Sequence, residues 1–202
     1  MDIGALRVRI DPPFRFASGI LSPLYCDNRL LLSHPPEREQ VVGEFLKRIE
    51  NYSVDGIAGT ATAGIPHAAW IAQALKLPMY YVRSQSKSHG KQEKIEGGSV
   101  NGMKIALIED LVTTGGSAIS ALETLQESGA EVVCCISIFS YGFPKAVDEF
   151  DQRKIPYESL GTFKDLFSLL EKSEELSEKE LGELRTWHEN PGKWNQGCNE
   201  QL

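Results

Sequence analysis

A chain of 202 residues, 41% hydrophobic and 24% charged, has room for one compact core and a small appendage. Its formal net charge of −7 excludes a general nucleic-acid or anionic-membrane surface, because phosphate backbones demand clustered cations and any anion site here must be local. No stretch approaches the ~20 apolar residues needed to cross a bilayer, and the N-terminal residues lack a basic-then-apolar signal, which implies a cytoplasmic protein with no membrane partner.

After an irregular start containing Pro12 and Pro13, Val41, Val42, Phe45, Leu46 and Ile49 recur at helical spacing and predict an amphipathic helix over 36–50. A short buried strand follows over 54–59, then the small-residue turn 60–64 and a helix over 65–75. The next strand is 78–83. Residues 84–101 are polar, with no periodic face and three glycines, a composition expected of a functional loop. A strand begins at Ile105 and a helix near Ala118. Residues 131–140 are almost wholly apolar and form another strand. A helix over 144–154, a short strand over 156–163 and closing helices over 164–170 and 177–189 complete the chain. Cys134 and Cys135 are neighbours in a strand and face opposite sides, so they read as reduced packing residues, and no metal-type cysteine spacing appears.

Strands alternating with helices at this rhythm give an α/β fold, a mainly parallel central sheet flanked by helices, with a small N-terminal hood. One domain is expected over 1–202: a hood segment over 1–35, an α/β core over 36–170 and a C-terminal helical extension over 171–202. In such sheets ligands gather beyond the carboxyl ends of the strands. That rule gathers the turns 60–64, 83–98 and 109–117.

The third turn is the most informative. Glu109 and Asp110 close an apolar strand, and Leu111 and Val112 lead into Thr113, Thr114, Gly115, Gly116 and Ser117 at a helix start. Glycines let backbone N–H groups approach a phosphate, the helix start adds partial positive charge, and three hydroxyls supplement them. Two carboxylates, read as acceptors only, suit hydroxyl donors beside that phosphate, such as the 2- and 3-hydroxyls of a ribose. The combined demand is a ribose 5-phosphate. No lysine follows the glycines and no Gly-x-Gly-x-x-Gly is present, which weakens nucleoside triphosphate and dinucleotide readings.

This order of strand, two acids, Thr-Thr-Gly-Gly-Ser and helix resembles the phosphoribosyl pyrophosphate (PRPP) motif of the type I phosphoribosyltransferases. Arg83-Ser84-Gln85-Ser86-Lys87-Ser88-His89-Gly90 resembles the catalytic loop of the orotate phosphoribosyltransferases. Gly59-Thr60-Ala61-Thr62-Ala63-Gly64 resembles that family's pyrophosphate loop in its lysine-free form, and Ser18-Gly19-Ile20-Leu21-Ser22-Pro23-Leu24-Tyr25 resembles its base-binding segment.

The resemblance implies transfer of ribose 5-phosphate from PRPP to orotate with Mg²⁺, in pyrimidine (UMP) biosynthesis, by a homodimer with shared sites. It assigns Lys87 and His89 to catalysis. Arg83, Thr60, Ala61 and the run from Glu109 to Ser117 would join them in binding PRPP. Thr113, Tyr25, Arg29 and Ser18 would meet orotate, and Mg²⁺ would be held mainly through PRPP rather than by a protein metal site. Where the family has a lysine beside the leading arginine, this chain has Ser84 and Gln85, so Lys91 or Lys94 is expected to meet part of the pyrophosphate charge. The family's further helix before Ile3 is missing, an expected weakness of the hood or the dimer. A phosphoribosyltransferase for adenine or xanthine, and a PRPP-sensing regulator, are the rival readings.

Overall fold

The computed structural model describes residues 3–15, 21–84 and 94–194. These fall into two compact units, one within 31–162 and the other within 1–30 together with 163–202. In the smaller unit, β1 (Leu6–Val8) pairs antiparallel with β4 (Leu24–Cys26), and β2 (Phe14–Arg15) with β3 (Leu21–Ser22).

The larger unit opens with α1 (Pro35–Ile49), whose prolines sit in the first turn where a missing N–H costs nothing. It continues through β5 (Gly56–Thr60), α2 (Gly64–Leu75), β6 (Met79–Val82), β7 (Ile95–Glu96), β8 (Lys104–Val112), α3 (Gly116–Glu127), β9 (Glu131–Ser140), α4 (Pro144–Gln152) and β10 (Tyr157–Thr162). The six strands form one sheet in the order β10-β9-β8-β5-β6-β7. β7 runs antiparallel to β6, and the other pairs are parallel. The expected α/β class and the helix-flanked, mainly parallel sheet are present.

β8 and β9 are buried over most of their length, as strands covered on both faces must be. On one face Ile105 and Leu107 of β8, Ala58 of β5 and Cys135 of β9 join Ala118, Leu122 and Leu125 of α3 and Ala146 and Phe150 of α4 in a single core. α2 packs on β5, β8 and β6, and α1 on α2 and β10. Cys134 and Cys135 are buried free thiols, and burial pushes the Cys134 thiol up to about 12, far from reactive.

β8 runs beyond the expected strand and includes both acids and Val112, because β9 continues to pair with it as far as Ser140. β7 lies inside the stretch read as loop. Two residues are too few to show a strand period, and pairing with Tyr81 and Val82 makes this strand.

In the smaller unit, α5 (Phe163–Ser173) and α6 (Glu178–Glu189) pack together. A capping box starts α6: the Ser177 N–H donates to Glu180 at 2.8 Å while the Glu180 N–H donates to the Ser177 hydroxyl. The Trp194 indole N–H closes the chain's described end on Glu183 at 3.0 Å.

Candidate active site

The chain leaves β5 toward β6 on one side and leaves β8 toward β9 on the other. The carboxyl ends of these adjacent strands therefore border a topological switch point, the crevice where open α/β sheets bind ligands. Thr60 and Ala61 follow β5, and Glu109, Asp110 and the Thr-Thr-Gly-Gly-Ser turn follow along β8, so the two turns read from the sequence lie side by side.

Close packing fixes this crevice. A Cβ on Gly59 would meet the Gly64 carbonyl oxygen at 2.8 Å, and one on Gly64 would meet that of Ile108 at 2.6 Å. Neither position accepts a side chain without moving α2 off the sheet, so glycine sets how closely the start of α2 approaches β8. The Ala61–Thr62 peptide is cis. The Ala61 N–H already donates to the Val82 carbonyl at 2.9 Å, which leaves the later residues of this turn and the uncapped start of α2 as its backbone donors.

Residues 113–115 form a bend, and α3 begins at Gly116, two residues before the sequence places it. Gly115 is the N-cap with φ 82°, a left-handed conformation disfavoured for residues with a Cβ, and no side chain caps the helix. The first N–H groups of α3 thus face the crevice without an internal acceptor, the arrangement that binds anions. Leu111 to Ala118 line a cavity of about 450 Å³. A second of about 250 Å³ is lined by Thr60, Ala61, Val82, Arg83, Ser84, Gly116, Ser117 and Ser120, among others, and the two share Gly116 and Ser117. Arg83 is held by Glu96 at 3.6 Å, and its N–H donates to the Lys94 carbonyl at 2.9 Å.

The polar atoms behind this surface are unusual. Thr60 Oγ1, Glu109 Oε2 and His67 Nδ1 are buried without a hydrogen-bond partner among the described residues. Burial pushes Glu109 up to about 9, and neighbouring Asp110 adds to the rise. The Thr60 hydroxyl favours the Glu109 anion slightly, but neither oxygen completes a hydrogen bond of ordinary geometry, so burial dominates. Burial likewise pulls His67 down to about 4, with Asp110 opposing that shift and Arg38 assisting it. The His67 ring meets Trp70 edge-on at 5.5 Å, and the Arg38 guanidinium lies 4.4 Å from the Trp70 ring centre.

Tyr25 and Arg29 belong to the smaller unit. Tyr25 lies 5.4 Å from Phe14 with the Arg7 guanidinium 5.0 Å from its ring. Arg29 is bound to Asp27 through Nε at 2.6 Å. Ser18, Lys87, His89 and Lys91 lie outside the described residues. Two residues near the crevice escaped the sequence reading. Ser120 lines the smaller cavity, and its spacing of three from Ser117 on a helix was the available signal. His67 interrupts the apolar stripe of Ala68, Ile71 and Ala72 and stands three residues after Gly64.

Comparison with known proteins agrees with this geometry. The family described as phosphoribosyl transferase domain matches residues 31–169. An orotate phosphoribosyltransferase of Oceanobacillus iheyensis is 47% identical over 191 residues, covering 94% of this chain and 95% of that protein. One from Bacillus subtilis is 47% identical over 193 residues, covering 95% and 89%. The crystal structure of orotate phosphoribosyltransferase from Aeropyrum pernix matches with a TM-score of 0.74 at 27% identity, covering 87% of this chain and 96% of that one. With the motif order, the switch-point geometry and full-length likeness in agreement, this chain belongs to the orotate phosphoribosyltransferase family.

Proposed function

We propose that this chain transfers ribose 5-phosphate from PRPP to N1 of orotate, giving orotidine 5′-monophosphate and pyrophosphate in pyrimidine nucleotide synthesis. The observation that carries the site assignment is the uncapped turn at Gly115, which opens α3 beside an acid-bearing strand end at the sheet's switch point. The 5-phosphate takes the backbone donors and hydroxyls of Thr113 to Ser117, and Asp110 accepts from the ribose diol. The pyrophosphate extends toward Thr60, the turn after it, and Arg83 in the smaller cavity.

Chemically, the C1–O bond to pyrophosphate breaks with its electron pair leaving on oxygen, the ribose gains oxocarbenium character, and the lone pair of orotate deprotonated at N1 forms the new bond. No side-chain nucleophile is needed. The protein positions two anions, neutralises the departing one and excludes water. Lys87 is assigned to charge neutralisation, and His89 to a proton or hydrogen bond at the leaving oxygen. Tyr25, Arg29, Ser18 and Thr113 are assigned to orotate.

Mg²⁺, when bound, would supply charge neutralisation for the departing pyrophosphate. Among the described residues no three His, Cys, Asp or Glu side chains gather as a metal site. The reading proposed is of an ion held mainly through the substrate's own oxygens. The functional unit is a homodimer in which Lys87 and His89 serve the neighbouring subunit's site. No described helix is long and apolar enough to cross a membrane, and a cytoplasmic location is part of the proposal.

The test is to incubate the purified protein with PRPP, Mg²⁺ and, in separate reactions, orotate, adenine and xanthine, and to follow base consumption. Orotate alone is expected to disappear. Consumption of a purine without orotate, or PRPP binding with no turnover of any base, would overturn the assignment.

A further inference from the structure

The antiparallel ribbon of β1 and β4 has two unlike faces, because neighbouring residues in a strand point to opposite sides. Leu24 and Cys26 are buried on one face, while Arg7 and Tyr25, paired directly across the ribbon, share the other. β2 brings Phe14 to this second face, its ring 5.4 Å from that of Tyr25. The Arg7 guanidinium sits over both rings, 5.0 Å from the Tyr25 centroid and 5.6 Å from that of Phe14, and the Arg9 guanidinium lies 4.4 Å from Phe14. In a chain of net charge −7, an exposed arginine is thus held in place by two aromatic rings.

The hood's arginines differ in what they have left to give. Arg29 donates from Nε and Nη2 to the two oxygens of Asp27, at 2.6 and 2.8 Å, so the two-point fork that a carboxylate matches is already taken. That hydrogen bonding holds the Asp27 carboxyl below its usual range against the opposing effect of burial, and the Arg7 charge adds a smaller share. Arg7 itself makes no ion pair and no side-chain hydrogen bond among the described residues; its contacts are the two rings. A guanidinium stacked on a ring is held by its flat face, and its N–H edge stays open. Part of the freedom that binding a carboxylate would remove is therefore lost beforehand.

The acceptor of the proposed reaction asks for such a group. Orotate is a planar pyrimidine that differs from uracil by one carboxylate, so choosing it means recognising that carboxylate. Resting on the site reading above, we propose that Arg7 is the hood residue that does so: its N–H edge donates two hydrogen bonds to the two carboxylate oxygens, while Tyr25 and Phe14 fix the guanidinium plane. Arg29 stays with Asp27. Arg9 lies two residues further on, over Phe14 alone, and adds charge without the fork. Arg7 escapes a reading of the base-binding segment because only the pairing of β1 with β4 brings it to Tyr25.

The experiment is calorimetric binding to the full chain of two nucleotides, orotidine 5′-monophosphate and uridine 5′-monophosphate, which lacks only the carboxylate. The wild type is expected to prefer the first by about tenfold to a hundredfold, the range for hydrogen bonds between charged groups. R7Q should lose most of this preference while its affinity for uridine 5′-monophosphate stays unchanged, and R9Q should keep the preference. The uridine nucleotide controls for the fold of each variant, since both ligands carry the same ribose phosphate. A preference that survives in R7Q, an equal loss for both nucleotides in R7Q, a preference lost in R9Q, or a wild type that binds both alike overturns the proposal. A wild type that binds neither nucleotide and consumes no orotate would instead overturn the site reading itself.

Discussion

Burial has a different sign for an acid and for a base, and β8 and α2 carry one of each. Glu109 holds its proton in the folded chain up to about pH 9, whereas the unfolded chain releases it near 4.5. The folded state therefore binds more protons across this window, and stability falls as pH rises through it, by at most about 1.4 kcal/mol per pH unit. E109Q is expected to lose this slope, so that its urea midpoint gains on the wild type from pH 5 to pH 9; parallel curves would contradict it. His67 shows the reverse case. Its folded value of about 4 lies below the ordinary 6.5, so its contribution is complete above pH 6.5 and is lost as pH falls toward 4. H67L is expected to flatten that acid limb in the same urea series, and an unchanged limb would place the titration elsewhere. Asp110 faces the ligand on the present assignment, and hydrogen bonds to charged groups are worth roughly 1.5–3 kcal/mol. D110N should therefore weaken PRPP binding about tenfold to a hundredfold by calorimetry, and intact affinity would remove Asp110 from the sugar site.

Among the elements, α2 matters most to the geometry because glycines let it touch the sheet. Ala at position 64 would bring a Cβ to 2.6 Å from the Ile108 carbonyl oxygen, next to the acid pair. G64A is expected to cost about 1–3 kcal/mol of stability, the usual range for overpacking, and to raise the KM for PRPP. An unchanged urea midpoint would contradict the close approach. The elements also show what a sequence discloses. β9 is legible to the residue, since a long apolar β-branched run has one outcome in a sheet covered on both faces. The turn at 113–117 is legible as a glycine-opened helix start because its residues are adjacent in the chain, and its proposed phosphate chemistry is local for the same reason. β7 is not legible, because only its partner β6 makes it a strand. Nor is the burial of Glu109, since the strands and helices that cover it are distant in sequence. Ala61 is read from the sequence as a PRPP-binding residue, and its N–H donates to the Val82 carbonyl.

At the scale of the whole molecule, function depends on the switch point and on the proposed exchange of catalytic residues between subunits. If Lys87 acts across the dimer while Asp110 acts in its own subunit, K87A and D110N damage different sites. Mixing the two inactive variants under subunit exchange is expected to restore about a quarter of wild-type activity, since random pairing makes half the dimers mixed and each carries one intact site. No recovery despite proven exchange would mean self-contained sites. The most direct measurement of the central claim is a crystal structure of the protein with PRPP and Mg²⁺. The 5-phosphate oxygens are expected about 2.7–3.2 Å from backbone N–H groups of residues 113–117, with the ribose diol on Asp110. A donor bound elsewhere, with this turn filled by its own side chains, would contradict it.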